Sequence, residues 1–352
     1  MTVTKQKWGT LCNGQTANLY TASNGTMSFS ATDYGCTLTG IFLPNKNGVF
    51  TDILLGFSTL QGYINSLSCF GSIIGRFANR ISDAQFKIDG KTYQLDKNEN
   101  AKNTLHSGFT RFDHFLWESK AIETEEGVGV QFTRCSADGE QGFPGNLTAT
   151  VSYMLSRDNR LTLKYSAKTD KATPINFTNH AYFNLAGSGT ILEHELQTDC
   201  QGYLEVDKNH IPTGKILSVK GTPFDFTTMK KIGANIHETE DGYDHCFVTP
   251  IYNGRDSGLP LDEKKLFRAA VLIEPKLKRK MYVETNQEGM QVYTANQIEG
   301  IIGKHGATYH NHEALCLETQ CFPDTPNKAE FPPCILKPGE VYNAVTVYGF
   351  EF

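Results

Sequence analysis

Residues 177–185 read "FTNHAYFNL", and the parity of this stretch decides how the chain folds. With a period of two, Phe177, Ala181, Phe183 and Leu185 fall on one side of a strand. Thr178, His180, Tyr182 and Asn184 fall on the other, and Asn176 continues that column. One apolar and one polar face is the pattern of a half-buried antiparallel strand. The kind of polar residue is unusual. A solvated face carries Lys, Glu, Ser and Thr, whereas this column holds asparagines, a histidine and a tyrosine with no formal charge. Such side chains make directional hydrogen bonds, so the column is expected to hold something. Asn179 falls on the apolar side, where a hydrogen bond to a neighbouring turn is the expectation.

Strand signals continue in both directions. "FKIDGKTYQL" (86–95) sets Asp89-Gly90 between two alternating segments, a strong hairpin signal. "LSRDNRLTLKYSA" (155–167) and "PGEVYNAVTVYGFEF" (338–352) read the same way, and turn clusters lie at 137–146 and 252–260. Helical periodicity is confined to a turn or two near 58–66 and 228–237. Many short strands at regular spacing predict an all-β sandwich or barrel. With no linker, composition shift or blade-length repeat, residues 1–352 are expected to form one large antiparallel domain.

Composition excludes several classes. The 352 residues are 39% hydrophobic and 20% charged, with a formal net charge of −5. Nucleic acid is therefore not an expected partner, and the densest basic run, "KLKRK" (276–280), reads as a solvated face or turn. The N-terminus lacks the apolar core of a secretory signal. The uncharged run 53–75 is long enough to span a bilayer, but four glycines and many Ser, Asn and Gln make it loop and strand, with no membrane role. Nine cysteines without a CxxC pair fit buried free thiols in a reducing cytoplasm, where the sequons at Asn24, Asn146 and Asn176 would be idle.

Chemistry has few places to sit. In "ALCLETQCFPD" (314–324), Glu318 interrupts an apolar strand. A desolvated carboxylate has its pKa raised, and such a Glu with a His makes a natural acid/base pair at neutral pH. A salt-bridged structural Glu, or one facing water on an edge, fits the same pattern. Arg80 in "GRFANRISD" (75–83) and His106 in "NTLHSGFTRFD" (103–113) are donors suited to a polar ligand, or ordinary surface groups. Asp244 in "DGYDHCF" (241–247) could accept from two adjacent hydroxyls or cap a turn. Phosphate-loop, dinucleotide, nucleophile-elbow and zinc-protease motifs are absent, and "YHNHE" (309–313) reads as a surface turn.

Together, "GRFANRI", "NTLHSG", "TPINFTNHAYFNLAG", "IPTGKI", "GYDHCF", "GMQVYTAN" and "CLETQCFPDTPN" resemble the aldose 1-epimerase family, in order from about residue 30 to the C-terminus. The resemblance implies a galactose mutarotase-like β-sandwich that interconverts the α and β anomers of free hexoses without cofactor, metal or obligate protein partner. Carried over position by position, it implies Glu318 as general base and His180 as general acid. Asn79, Arg80, His106, Tyr182, Asp244 and Gln291 would hold the monosaccharide. Ser107, Ala181 and Cys246 depart from residues common in the family, and bear on sugar preference more than on the reaction. Three rivals are an inverting glycosidase using Glu318 and Asp244, a hexose-6-phosphate epimerase, for which no basic cluster is seen, and a silent sugar-binding module, which needs no acid/base pair.

Overall fold

The structure, a computed structural model, describes residues 1–252 and 265–352. Nearly all of the turn cluster at 252–260 therefore lies outside the described residues. The other local signals act as their chemistry requires. Asp89 and Gly90 both adopt positive φ (48° and 80°), as a tight hairpin turn demands, and join Gln85–Ile88 to Lys91–Gln94. Asn159, at φ 60°, turns Leu147–Ser156 back onto Arg160–Thr169. The only α-helix among the described residues is Leu60–Asn65, and short 3-10 turns at Ile232–Ala234 and Ile236–Glu238 match the second weak signal. Among the described residues, no helix is long and apolar enough to cross a membrane.

Three larger antiparallel sheets carry the architecture. A nine-stranded sheet runs from Glu118–Glu123 at one edge to Lys230–Lys231 at the other. Its middle strand is the C-terminal Tyr342–Glu351, paired with Arg160–Thr169 on one side and Arg279–Thr285 on the other. The 338–352 signal is thus a turn leading into one central strand rather than a hairpin. The N-terminal strands from Thr2–Thr10 to Phe50–Asp52 form a second sheet. The third runs Pro212–Ser218, Gly202–Val206, Asp244–Val248, Gly289–Tyr293, Cys316–Gln320. One continuous apolar cluster joins all three, with Phe29 and Ile41 from the second, Val151 and Leu163 from the first, and Phe247, Val292 and Leu317 from the third. Burial on this scale, at ~25 cal/mol per Å² of apolar surface, dominates the folding free energy.

The opening stretch corrects its own reading. Only Thr178–Asn179 form a regular ladder, with Ile73–Ile74, and both parities from Phe177 to Leu185 are buried. The cause is a neighbour on either flank, since Phe183 bridges to Leu54 on one side and Leu315 on the other. The polar column therefore faces protein and a cleft, not solvent. Asn179 donates to the carbonyl of Gly71 at 2.7 Å, the turn contact expected of it. Gly71 must be glycine. Its φ is 68°, and a Cβ there would sit 2.0 Å from the Leu38 carbonyl oxygen.

Two further readings change. Arg279, in the basic run, is 1% exposed and donates to the carbonyls of Leu185 and Leu43 and the hydroxyl of Thr51, tying the nine-stranded sheet to the N-terminal one. The thiols are free, but Cys12 and Cys135 are exposed rather than buried. Arg279→Met removes the donor from two buried carbonyls and from the part-buried Thr51 hydroxyl, and is expected to cost about 2–5 kcal/mol. Urea unfolding measures this, and a variant as stable as wild type would remove Arg279 from the account of how the sheets are joined.

Candidate active site

Pleating of the third sheet builds one wall. Strand pairing sets Gln291 opposite both Cys246 and Glu318, and Tyr293 opposite both Asp244 and Cys316. Alternation then places Asp244, Gln291, Tyr293, Cys316 and Glu318 on one face. Phe247, Val292 and Leu317 take the other face, inside the core. Here the sequence pattern was sufficient: an acid interrupting an apolar strand marked the face that leaves the core.

The opening stretch supplies the facing wall. Backbone hydrogen bonds in both directions join Phe183 to Leu315, each 2.9 Å. Continuing that antiparallel register by three residues sets His180 across from Glu318. The imidazole Nε2 lies 3.5 Å from Glu318 Oε1, and the two side chains are 8% and 3% exposed. The His180 backbone is itself clamped, donating to Ser72 O at 2.9 Å and accepting from Gly71 N at 2.8 Å. Tyr182 lies flat against the imidazole, with ring centres 5.0 Å apart and planes at 12°. Asn176 and Asn184 do not reach toward the cleft. Their side chains fasten neighbouring backbone, at Ala78 and Cys321 and at Gly189 and Glu313 respectively.

Arg80, His106 and Asn79 arrive together from a strained turn. Arg80–Ile81 pairs with Thr104–Leu105, while Asn79 and His106 just outside the pair have φ 66° and 52°. The Asn79 N–H donates to His106 Nδ1 at 3.1 Å, and the His106 N–H returns to the Asn79 carbonyl at 3.1 Å. Accepting at Nδ1 leaves His106 a neutral ring with its proton on Nε2. Burial, then the nearby His180 and the cations Arg111 and Arg80, hold its pKa well below the usual range, consistent with that tautomer. Ser107, at φ 72°, staples this turn, since its hydroxyl accepts from Phe77 N at 2.7 Å and donates to Phe77 O at 3.0 Å. Asp244 accepts from Gln291 Nε2 at 2.6 Å and lies 3.9 Å from Arg80 Nη1. Contacts thus bring all eight residues singled out from the sequence into one cluster.

Burial sets the protonation of the central pair. It pushes the Glu318 carboxyl well above the usual carboxylate range, helped by the negative charge of Asp244 and opposed by Arg80. It pulls His180 down to about 4, opposed by Asp244. Both shifts disfavour charge, so burial favours the uncharged carboxyl and the uncharged imidazole over the ion pair. Among the described residues, His180 Nδ1, Glu318 Oε2 and Gln291 Oε1 are buried without a hydrogen-bond partner. Unpaired polar atoms gathered on a cleft are suited to a ligand rich in hydroxyl groups.

Sequence reasoning missed two contributors. Glu99 accepts from Arg80 Nε at 2.9 Å and aims the guanidinium, although the two are far apart along the chain and nothing in the local sequence joins them. Tyr293 sits edge-on to the rings of both His180 and Tyr182, at 6.3 and 6.2 Å between centres. Alternation from Gln291 could have found it.

The fold, antiparallel sheets around one core with a carboxyl and an imidazole buried side by side, is of the galactose mutarotase-like kind. A family profile described as Aldose 1-epimerase matches residues 18–349. The chain is 39% identical to the galactose mutarotase of Mus musculus, over 100% of this chain and 99% of that one. It is 36% identical to the aldose 1-epimerase of Escherichia coli (strain K12), over 96% of each. The crystal structure of galactose 1-epimerase from Lactobacillus acidophilus superposes with a TM-score of 0.85 at 27% identity, covering 99% of this chain and 98% of that one. The chain belongs to the aldose 1-epimerase family.

Glu99→Gln keeps the size of the side chain but removes the charge that fixes Arg80. The Michaelis constant for galactose is expected to rise about tenfold while kcat changes less than about threefold. A fall confined to kcat would mean that Arg80 is not positioned for binding.

Proposed function

We propose that the protein is a mutarotase that opens and recloses the ring of free hexoses such as D-galactose and D-glucose, with Glu318 as general base and His180 as general acid. The observation that carries this reading is the buried carboxylate–imidazole pair, 3.5 Å apart. Opening a cyclic hemiacetal requires one proton to leave the anomeric hydroxyl and another to reach the ring oxygen. Glu318 takes the first and His180 delivers the second, giving the open-chain aldehyde. Rotation about the bond to the aldehyde carbon exposes its other face, and ring closure with the two roles exchanged gives the other anomer. Two positioned transfers, each worth ~10²–10⁴ in rate, are adequate for a reaction that water already performs slowly.

The resting pair must pass from neutral acid and imidazole to carboxylate and imidazolium. These two forms hold the same number of protons, so sugar can convert one into the other with no exchange with solvent. Sugar hydroxyls donating to Glu318, beside the charge of Arg80, favour the carboxylate. His106, fixed as an Nε2–H donor, and Arg80 hold oxygens of the sugar, and Asp244 accepts from a pair of vicinal hydroxyls. Tyr182 keeps the imidazole in plane, and Asn79 keeps His106 in its tautomer. Gln291 ties Asp244 in place and offers its unpaired carbonyl oxygen. The chemistry requires neither nicotinamide nor metal. We take the chain as one domain acting in the cytoplasm without nucleic acid, membrane or protein partner, a reading supported by the shared core and the mildly acidic charge.

Two outcomes test this. Glu318→Gln is expected to lower the polarimetric rate from α-D-galactose by ~10²–10⁴ while sugar binding measured by calorimetry survives. Undiminished activity would remove Glu318 from the mechanism. The pH profile of kcat/KM follows the one-proton state of the pair. Below about 4 both members are protonated and activity falls; above the raised pKa of the carboxyl neither is, and it falls again. An acid limb with its midpoint near 4 is expected, and an acid limb with its midpoint near 6.5, the ordinary imidazole value, would contradict the shared-proton account.

A further inference from the structure

Cys316 precedes Glu318 by two residues, so pleating brings its thiol to the same face of the strand. The acid/base chemistry makes no use of it. Yet one donor atom each from His180, Cys316 and Glu318 lie within 4.8 Å of one another, and all three residues are buried. His180 Nδ1 and Glu318 Oε2 are in addition buried without a partner. An imidazole, a thiol and a carboxylate converging at this range form a ligand set as well as a proton relay.

We propose that His180, Cys316 and Glu318 form a latent site for a borderline-soft divalent cation of the zinc type, and that such an ion inhibits the enzyme reversibly in competition with sugar. The donor set selects the ion. Nitrogen, sulfur and one carboxylate oxygen, with a fourth position open to the cleft, match the three-ligand tetrahedral preference of zinc. Magnesium and calcium seek six or more oxygens and gain little from a thiol. Bond lengths of about 2.0–2.3 Å would require the trio to contract by about 1 Å, within reach of side-chain rotation at His180 and Glu318.

The charges and protons balance. A thiol binds a metal ion as its thiolate, so the Cys316 proton must be displaced. On binding, Cys316 releases its proton, and the proton shared by Glu318 and His180 also leaves. Two protons go to solvent, and the thiolate and carboxylate neutralise the two charges of the ion, as a buried site requires. Affinity therefore rises with pH. Because the ion occupies the acid and base together, it abolishes proton transfer. That consequence rests on the mutarotase reading, whereas ion binding itself does not.

The test pairs a binding readout with an activity readout on the full chain. Cobalt(II) titrated into wild type is expected to give a near-ultraviolet thiolate-to-cobalt band that is missing in Cys316→Ser and is displaced by galactose. Zinc chloride is expected to slow mutarotation of α-D-galactose, less so at higher sugar, with recovery on adding a chelator. Cys316→Ser keeps its activity but needs at least about tenfold more zinc for half-inhibition. Cys316→Ala is a second variant, distinguishing loss of the ligand from a folding defect in the first. A cobalt spectrum identical in wild type and both variants, or zinc inhibition unchanged by losing the thiol, overturns the proposal and leaves the mutarotase reading intact. A thiolate band on a protein that does not accelerate mutarotation supports the site and sinks that reading instead.

Discussion

A carboxyl group and an imidazole buried side by side, 3.5 Å apart, set the terms for the rest of the molecule. Neither group can carry its charge cheaply in a low-dielectric pocket, since Born costs reach several kcal/mol per ion even after relaxation. Neutrality at rest lets the pair stay buried. In the proposed mechanism, a ligand that solvates the carboxylate lets the proton move to the imidazole without solvent taking part. The geometry that makes this possible is a register: the pairing of Phe183 with Leu315 carries His180 to Glu318. A one-residue slip would turn either side chain into the core, so the sheets on both sides are committed to holding that register.

The surroundings divide the labour of recognition. On the third sheet, Asp244 and Gln291 are locked to each other, which orients an acceptor pair toward the cleft. Across from them, the turns at Asn79 and His106 hold left-handed backbone, a conformation costly for non-glycine residues. Reciprocal hydrogen bonds between these two residues offset that cost and fix a histidine that donates and does not titrate near neutrality. His180 and His106 thus have opposite duties although their rings are 5.5 Å apart. In the proposed mechanism His180 moves a proton, whereas His106 already accepts a hydrogen bond at Nδ1.

Much of this was legible in the sequence where the signal was local. Glu318 stood out because alternation at Leu315 and Leu317 made its position a core-strand position, and the hairpins declared themselves through Asp89-Gly90 and Asn159. Parity also found the polar column from Asn176 to Asn184, but it could not show that both sides of that segment would be covered. That depends on Leu54 and Leu315, distant in the chain, arriving on its two flanks. A buried arginine was invisible for the same reason. Arg279 read as part of a solvated face or turn, because the carbonyls that satisfy it come from remote segments. Glu99, which aims Arg80, gave no local signal of its relation to the site, whereas alternation set Cys316 on the same face as Glu318.

The central claim is that Glu318 and His180 act as one proton-transferring unit. A double-mutant cycle on kcat/KM for α-D-galactose, using Glu318→Gln, His180→Gln and the combined variant, tests it most directly. The account predicts that the combined variant is no slower than the worse single one, because losing either member already breaks the relay. Rate losses that multiply in full would mean that the two residues act independently, and would contradict it.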